Sequence, residues 1–174
     1  MRAKLQGYSS QPIMHIKPAD KIKKDLMNWS RSSGYDIIIP NFYLGKYEMD
    51  LFRLTPAGLI TEYEIKISRA DYKADFCKEQ PGCDGKHALM TGGTCACNRF
   101  YFVVPKKLIR PEEVPPYAGL LYYKGKRGFE VVKNAPLIHK EKQSPAIYKD
   151  LALSLSFREQ VLRNRIVELK KRLS

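Results

Sequence analysis

The sequence predicts an α/β protein in which a central mixed β-sheet is flanked by helices. Residues 47–67 alternate as two strands around a turn, and the apolar run Phe100–Val104 is typical of a strand covered on both faces. Helical periodicity appears before and after these strands. The chain of 174 residues is long enough to bury one core, so we expect a single domain over residues 1–174.

The first helix is predicted from Lys17 to about Ser33. Ile22, Leu26 and Trp29 recur at helical spacing, and Pro18 stands in the first turn, where a missing N–H group is tolerated. Because Trp29 lies on this apolar stripe, core packing is the favoured interpretation for its ring. Stacking on a nucleic-acid base is the alternative.

Residues 36–40 predict a first strand, and residues 47–67 predict a hairpin. The link Thr55-Pro56-Ala57-Gly58 is typical of a tight turn in which Gly58 adopts the left-handed conformation, and this turn places Thr55 opposite Leu59. Side chains of the second strand alternate between two faces. One face carries Thr61, Tyr63, Ile65 and Ile67, and the other carries Glu62, Glu64 and Lys66.

Counting back from the turn places Asp50 directly across from Glu64. Opposed carboxylates repel each other, so each should destabilise the other unless a cation lies between them. Carboxylate oxygens suit Mg²⁺ or Mn²⁺. Lys66 would point into the same space, where it could orient or deprotonate a water molecule or stabilise charge on a phosphate. The alternative is an exposed sheet face whose charges form salt bridges.

The charge of the chain favours a polyanionic partner. The net charge is +13, and the basic residues are spread along the whole sequence, which favours nucleic acid over a membrane surface. Arg69, Lys73 and Lys78 begin or line the helix predicted after the hairpin, with Ser68 as its N-cap. We predict these three side chains as phosphate contacts, and a solvated helix face is the alternative.

A cysteine-rich loop is predicted over residues 77–97. It contains soft metal ligands at irregular spacing, namely Cys77, Cys83, Cys95, Cys97 and His87. A flexible loop over the active site with unpaired thiols is the favoured interpretation. A structural Zn²⁺ or an iron–sulfur cluster on the cysteines is the alternative, although the spacing is not that of a zinc ribbon.

The remaining elements are strands and one long helix. Residues 98–105 predict a central strand, residues 106–109 a short helical turn, and residues 119–123 and 128–132 a hairpin with a basic tip. The last helix is predicted over about 156–173, with a capping box formed by Ser156 and Glu159. It would pack on the domain or on a second copy of the chain, which would make a homodimer.

The segment from Asp50 through Glu64-Ile65-Lys66 resembles the core of the PD-(D/E)XK nuclease superfamily, in which a hairpin presents one acid followed by E-x-K. KISRADYKADF and NRFYFVVPKKLI extend the resemblance to its MmcB-like DNA-repair branch, over residues 17–140. The resemblance implies a restriction-endonuclease-like core. It implies that Asp50, Glu64 and the backbone carbonyl of Ile65 bind the metal and that Lys66 is catalytic.

The resemblance extends to further site residues. An acid on the first helix joins the metal site in many members, and Asp20 and Asp25 are the candidates here. Lys86 and His87 would belong to the basic DNA-binding site, or His87 to the core. The strand before Asp50 reads Lys-Tyr-Glu-Met and lacks the proline of the superfamily name, as in many members.

The predicted function is that of a magnesium-dependent deoxyribonuclease in DNA repair or recombination. The alternatives are an inactive nucleic-acid-binding protein on the same fold and a metal-stapled scaffold for protein partners. No apolar run suits a membrane span or a signal peptide, so we expect a cytoplasmic protein without membrane contact. DNA or RNA preference, substrate structure and endo- or exonuclease action stay open at this point.

Overall fold

The structure is a computed structural model that describes residues 16–31, 35–44, 47–77 and 85–173. Lys78 and Cys83 therefore lie outside the described residues. The helices and strands are, in chain order, α1 (Pro18–Ser30), β1 (Ile37–Leu44), β2 (Tyr47–Leu54), β3 (Ile60–Ile65), α2 (Arg69–Asp75), α3 (Lys86–Thr91), β4 (Arg99–Pro105), β5 (Ala118–Tyr123), β6 (Phe129–Lys133) and α4 (Ala146–Leu173).

The strands of the described part of the chain form one mixed sheet in the order β1-β2-β3-β4-β5-β6. The β1–β2, β2–β3 and β5–β6 pairs are antiparallel, whereas β3–β4 and β4–β5 are parallel. Short connections suffice between antiparallel neighbours, and the parallel step from β3 to β4 contains α2 and α3. Helices flank the sheet, which confirms the predicted α/β class.

The turn between β2 and β3 has the predicted geometry. Gly58 has a φ of +78°, and the Thr55 amide donates to the Leu59 carbonyl at 3.0 Å. The pairing that follows joins Arg53 to Thr61 and Leu51 to Tyr63, in the register counted from the turn. Turn chemistry therefore sets the register of this hairpin, because the turn type and loop length fix which residues of the two strands pair.

The two faces of the sheet carry separate buried clusters. Ile22 and Leu26 of α1 pack on one face with Leu51, Tyr63, Ile65, Val103 and Leu121. Tyr72, Met90, Ile147 and Leu151, from α2, α3 and α4, contribute to the cluster on the other face with Phe52, Phe100 and Phe102. Helices therefore cover both faces of the sheet, and their packing removes apolar side chains on each face from contact with water.

Trp29 lies at the margin of the α1 cluster. Its side chain is 39% exposed, and its ring centroid lies 5.5 Å from that of Phe129 in β6. The prediction that Trp29 packs in the core is therefore wrong. Helical spacing gave the correct side of α1, but the last turn of the helix passes beyond the buried cluster towards the partly buried β6.

The β1–β2 pair reverses its faces near Asn41, which has a positive φ of 50°. Ile39 and Phe42 of β1 lie in the same buried cluster although they are three residues apart, and so do Met49 and Phe52 of β2. A regular strand places residues three apart on opposite faces. The backbone at Asn41 therefore interrupts the alternation on which the sequence prediction relied.

Three predicted elements differ from the structure. β1 continues to Leu44, four residues beyond its predicted end. Residues 106–109 form a turn with Lys107 at a φ of +65° and not a piece of helix. The predicted cysteine-rich loop contains the helix α3, which buries Met90 in the core. That burial supplies the stabilisation that six residues of helix lack on their own.

The C-terminal helix α4 begins at Ala146, ten residues before the predicted start. Ser156 and Glu159 are therefore interior residues, and the predicted capping box is wrong. Only Ile147 and Leu151 of this helix are buried, whereas Leu162 and Ile166 are 61% and 52% exposed. The homodimer through this helix stays a prediction. No helix in the described ranges is both long and apolar enough to cross a membrane.

Candidate functional site

The acidic face of β3 is buried beneath α2 and α3. Glu62, Glu64 and Lys66 share this face as predicted, and their exposed fractions are 2%, 8% and 2%. Charged groups at this depth require partners, because an unpaired buried charge is strongly disfavoured. The alternative interpretation, an exposed sheet face whose charges form salt bridges, does not hold as stated, because this face is buried.

Lys66 lies between two carboxylates. Its Nζ donates to Glu64 Oε1 at 2.8 Å and to Asp75 Oδ1 at 2.6 Å. Burial alone would lower the pKa of Lys66, but these two carboxylates outweigh it and raise the pKa above the usual value. Lys66 is therefore an ammonium ion at neutral pH. This charge state suits stabilisation of negative charge and does not suit removal of a proton from water.

Lys86 at the start of α3 joins the two glutamates of β3. Its Nζ donates to Glu64 Oε2 at 2.8 Å and forms an ion pair with Glu62. Burial opposes the charge of Lys86, and the two carboxylates again raise its pKa. The pKa of Glu62 is raised because burial disfavours its charged form, an effect that Lys86 partly offsets.

His87 closes the array on the side of α2. Its Nε2 lies 3.0 Å from Asp75 Oδ2, and its Nδ1 lies 2.8 Å from the Tyr117 hydroxyl. The imidazole also stacks on Phe76 with ring centroids 4.4 Å apart. The side chains that these contacts connect form the β3 ion network, which comprises Glu62, Glu64, Lys66, Asp75, Lys86 and His87.

Asp50 is held at the end of β3 by different partners. Its Oδ2 accepts a hydrogen bond from the Ile65 amide at 2.9 Å, and its Oδ1 accepts one from Lys23 Nζ at 2.8 Å. Lys23 also donates to the side chain of Asn41 at 3.0 Å. Lys23 of α1 therefore neutralises Asp50. The Asn41 side chain, at the point where the strand alternation is interrupted, provides Lys23 with a second acceptor oxygen.

Lysines neutralise Asp50 and Glu64, which were predicted to repel each other. The paired register of the described hairpin ends at Leu51 and Tyr63, one step before these two acids. Asp50 pairs with Lys23, whereas Glu64 pairs with lysines of its own face. Each acid therefore has ammonium partners of its own, and a divalent cation between Asp50 and Glu64 stays a prediction.

The acids of α1 lie apart from these contacts. Asp25 accepts hydrogen bonds from Lys21 at 3.0 Å and from the Tyr123 hydroxyl at 2.5 Å, and Asp20 is exposed. Lys23 is the α1 side chain that reaches Asp50. Its position beside Ile22 placed it near the buried stripe, but no sequence pattern indicated its partner.

The oxygen atoms of Asp50, Glu64 and the Ile65 carbonyl have the chemistry that a hard divalent cation prefers. Binding at the two carboxylates would compete with Lys23 and Lys86, which now hold those oxygens. The described residues contain no group of three or more His, Cys, Asp or Glu side chains arranged for a metal ion. Two carboxylates and one carbonyl are oxygen donors of the kind that Mg²⁺ takes together with water and substrate phosphate.

The predicted phosphate contacts are in varied environments. Arg69 donates to the Leu108 carbonyl at 3.0 Å and forms an ion pair with Glu113. Lys73 is exposed on α2. Lys86 and His87 belong to the β3 ion network. Arg69 and Lys86 therefore have ion-pair partners within the fold, whereas Lys73 is exposed to solvent.

The three described cysteines are free thiols. Cys77 is exposed after α2, whereas Cys95 Sγ lies 3.9 Å from Cys97 Sγ. The Cys97 thiol is the main cause that lowers the pKa of Cys95 to about 7, and the pKa of Cys97 is raised. A zinc site on Cys77, Cys83, Cys95 and Cys97 stays a prediction.

No protein-family model matches the chain, and no curated protein matches it. Among solved structures, the fold is similar to that of a protein of unknown function from Silicibacter pomeroyi, with 26% sequence identity and a TM-score of 0.60. The similarity covers 86% of this chain and 94% of that chain. It supports the α/β fold over nearly the whole chain and assigns no activity.

Proposed function

We propose that this protein is a magnesium- or manganese-dependent nuclease of the PD-(D/E)XK type that hydrolyses phosphodiester bonds in DNA. One observation carries the proposal: the 2.9 Å hydrogen bond from the Ile65 amide to Asp50 holds the acid of β2 beside the Glu64-Ile65-Lys66 segment. The proposal includes a role in DNA repair or recombination, as in the MmcB-like branch, and a cytoplasmic location.

The residues would have distinct roles in this reaction. Asp50, Glu64 and the Ile65 carbonyl would hold the divalent cation, which supplies Lewis-acid stabilisation of the charge on the phosphate. Lys66, protonated and fixed by Glu64 and Asp75, stabilises the negative charge that develops on the phosphate in the transition state. Asp75 is thus a positioning residue, because it acts through Lys66.

A second candidate function is supported by the lysines themselves. Lys23 and Lys86 already neutralise Asp50 and Glu64 at 2.8 Å each. Such internal compensation is expected of a nucleic-acid-binding protein on the same fold whose catalysis has been lost. In that protein the ion network would be structural, and a metal ion would have no part.

Cleavage of a panel of labelled single-stranded, duplex and branched DNA, with and without Mg²⁺ or Mn²⁺, tests the proposal. Asp50→Asn and Glu64→Gln should abolish metal-dependent cleavage. Lys66→Ala should reduce it by about a hundredfold or more, because a lost charge-stabilising group typically has that effect. The matched control is Lys106→Ala, at an exposed lysine outside the network.

Each variant must be compared at a temperature at which it is folded, as judged by circular dichroism. A wild-type protein that cleaves none of these DNA structures with either metal would refute the nuclease proposal. So would a folded Lys66→Ala variant that cleaves as fast as wild type. Metal-independent DNA binding that is unchanged in all three variants would support the second candidate.

A further inference from the structure

A cavity of about 240 Å³ lies on the α1 face of the sheet, opposite the face that carries the β3 ion network. Cross-strand pairs join Arg53 to Thr61, Thr61 to Arg99, and Tyr63 to Tyr101, so these side chains share one face of three neighbouring strands. All five line the cavity. The cavity therefore has a floor of basic and aromatic side chains from β2, β3 and β4.

The two arginines of this floor differ in their partners. Arg53 Nε donates to Asp36 Oδ2 at 2.7 Å, so a carboxylate neutralises its charge. Arg99 donates to the backbone carbonyl of Ala135, and no carboxylate among the described residues forms an ion pair with it. A guanidinium has five N–H donors in a planar fork that matches phosphate oxygens. Arg99 thus brings to the cavity lining a guanidinium whose charge is not paired with a carboxylate of the described residues.

Aromatic rings stand beside this charge. Tyr63 and Tyr101 are stacked with centroids 5.7 Å apart, and Trp29 forms part of the cavity wall. Trp29 also lines a second cavity of about 280 Å³, together with Phe129 and Lys126 of the β5–β6 connection. The indole therefore lines both cavities. Arg53 and Arg99 line the first cavity, and Lys21, Lys126 and Asp25 line the second.

We infer that single-stranded DNA crosses this face, with an unpaired base stacked on Trp29 and a backbone phosphate bound by Arg99. Aromatic rings along a positive groove are the general means of binding single strands, because every base offers a π-face. The cavities are smaller than the 300–1,000 Å³ or so that drug-sized ligands occupy, which suits contact with one nucleotide in each. The naming of DNA rests on the proposed function, but cleavage is not required.

The chain offers a direct probe, because Trp29 is its only tryptophan. Full-length protein is titrated with oligothymidylate in the presence of EDTA, and tryptophan fluorescence is recorded. Base stacking should quench the fluorescence saturably. Arg99→Gln should weaken binding about tenfold, as expected when a charged contact to phosphate is lost. Arg165→Gln, an exposed arginine of α4, is the matched control and should change the affinity less than about twofold.

A second variant guards against misfolding at Arg99. Trp29→Leu keeps an apolar side chain at a partly exposed site and should weaken binding of a labelled oligothymidylate in fluorescence anisotropy by several-fold. Absent quenching, equal losses for Arg99→Gln and Arg165→Gln, or unchanged binding by Trp29→Leu would overturn the inference. Equal quenching by duplex DNA, or by dTMP at the same nucleotide concentration, would also overturn it.

Because EDTA removes divalent cations, these titrations are independent of the nuclease site. Binding with the expected variant pattern but without cleavage in metal would leave the single-strand site intact and refute the nuclease alone. Cleavage of DNA without quenching of Trp29 fluorescence would support the nuclease and refute the single-strand site. The two proposals can therefore fail separately.

Discussion

Replacement of Lys86 by methionine tests whether this lysine is the internal counter-ion of β3. Lys86 contacts both Glu62 and Glu64 in a buried setting. Methionine keeps much of the side-chain volume and removes the charge. Two buried carboxylates would then share the face with Lys66 alone. We therefore expect the free energy of unfolding to fall at neutral pH.

The magnitude follows from the burial of the pair. Removing one partner of a buried ion pair typically costs about 3–5 kcal/mol. Coulomb's law gives a comparable value of about 4 kcal/mol for one pair of charges at about 4 Å with an effective dielectric constant of about 20. Two pairs are lost, but Glu62 can take up a proton and limit the loss. A decrease of about 3–5 kcal/mol in urea-induced unfolding is therefore expected, against less than about 0.5 kcal/mol for Lys106→Met at an exposed lysine.

The decrease should depend on pH in a definite direction. The pKa of Glu62 in the folded state is raised above its ordinary value of 4.5, chiefly by burial. Between these two pKa values the folded state binds more protons than the unfolded state, so stability falls as pH rises. Loss of Lys86 raises the folded pKa further and extends this window upward. The variant should therefore be closest to wild type near pH 5 and furthest from it near pH 8, with an added slope of up to about 1.4 kcal/mol per pH unit.

Parallel urea titrations of wild type and Lys86→Met at several pH values provide the measurement. Equal stability of the two proteins at neutral pH would refute the counter-ion role. A deficit of the same size near pH 5 and near pH 8 would refute the assignment of the effect to Glu62. If the site binds magnesium, excess Mg²⁺ should stabilise Lys86→Met more than wild type, because the cation then meets no competing ammonium.

Two further predictions concern packing and thiol chemistry. Gly119→Ala should destabilise the fold by about 1–3 kcal/mol or more in thermal unfolding, because a Cβ there would lie 2.5 Å from the Ala135 amide nitrogen. The control is Gly85→Ala, whose Cβ would meet nothing within 4 Å, and it should change stability by less than about 0.5 kcal/mol. Cys95 should be alkylated with a midpoint near pH 7, because its lowered pKa favours the reactive thiolate, whereas burial should protect Cys97 in the folded protein. Peptide mapping after iodoacetamide treatment at a series of pH values checks this. Faster labelling of Cys97 than of Cys95 would contradict it.

Local chemistry explains why much of the hairpin could be predicted from the sequence. A proline and a glycine at fixed positions define the turn, and the turn defines which residues of β2 and β3 face each other. The same period of two placed Glu62, Glu64 and Lys66 on one face. The central strand β4 could be predicted equally well, because an uninterrupted apolar run is what burial on both faces requires.

The partners of the site could not be predicted because they come from distant parts of the chain. Lys23 lies 27 residues before Asp50, and Lys86 lies 22 residues after Glu64. Asp75 looked like one more acid on a short amphipathic helix. Asp71, whose carboxylate accepts a hydrogen bond from the Ile67 amide, lies four residues before Asp75. That spacing was the available signal, since it puts two acids on one side of the helix. Nothing local distinguishes a lysine that reaches a buried carboxylate from one that reaches solvent.

The lysines reverse the sign of one sequence-based expectation. Opposed acids without a cation would make Asp50→Asn neutral or stabilising. In the structure Asp50 holds Lys23, whose side chain is only 11% exposed, so the substitution leaves a largely buried ammonium with weaker partners. We therefore expect Asp50→Asn to be less stable than the wild-type protein. Cleavage assays on this variant must separate that loss from the loss of a metal ligand.

Charge balance connects the fold to both candidate functions. Apart from His87, four carboxyl groups face three lysines, so an ionised Glu62 would leave one negative charge in excess. The groups are Asp50, Glu62, Glu64 and Asp75 against Lys23, Lys66 and Lys86. A phosphate alone would add negative charge to a site that already has an excess of it, whereas a divalent cation would reverse the sign and favour the phosphate. An inactive binding protein would have to hold DNA elsewhere, on a face such as that of Arg99, where Asp36 is already paired with Arg53.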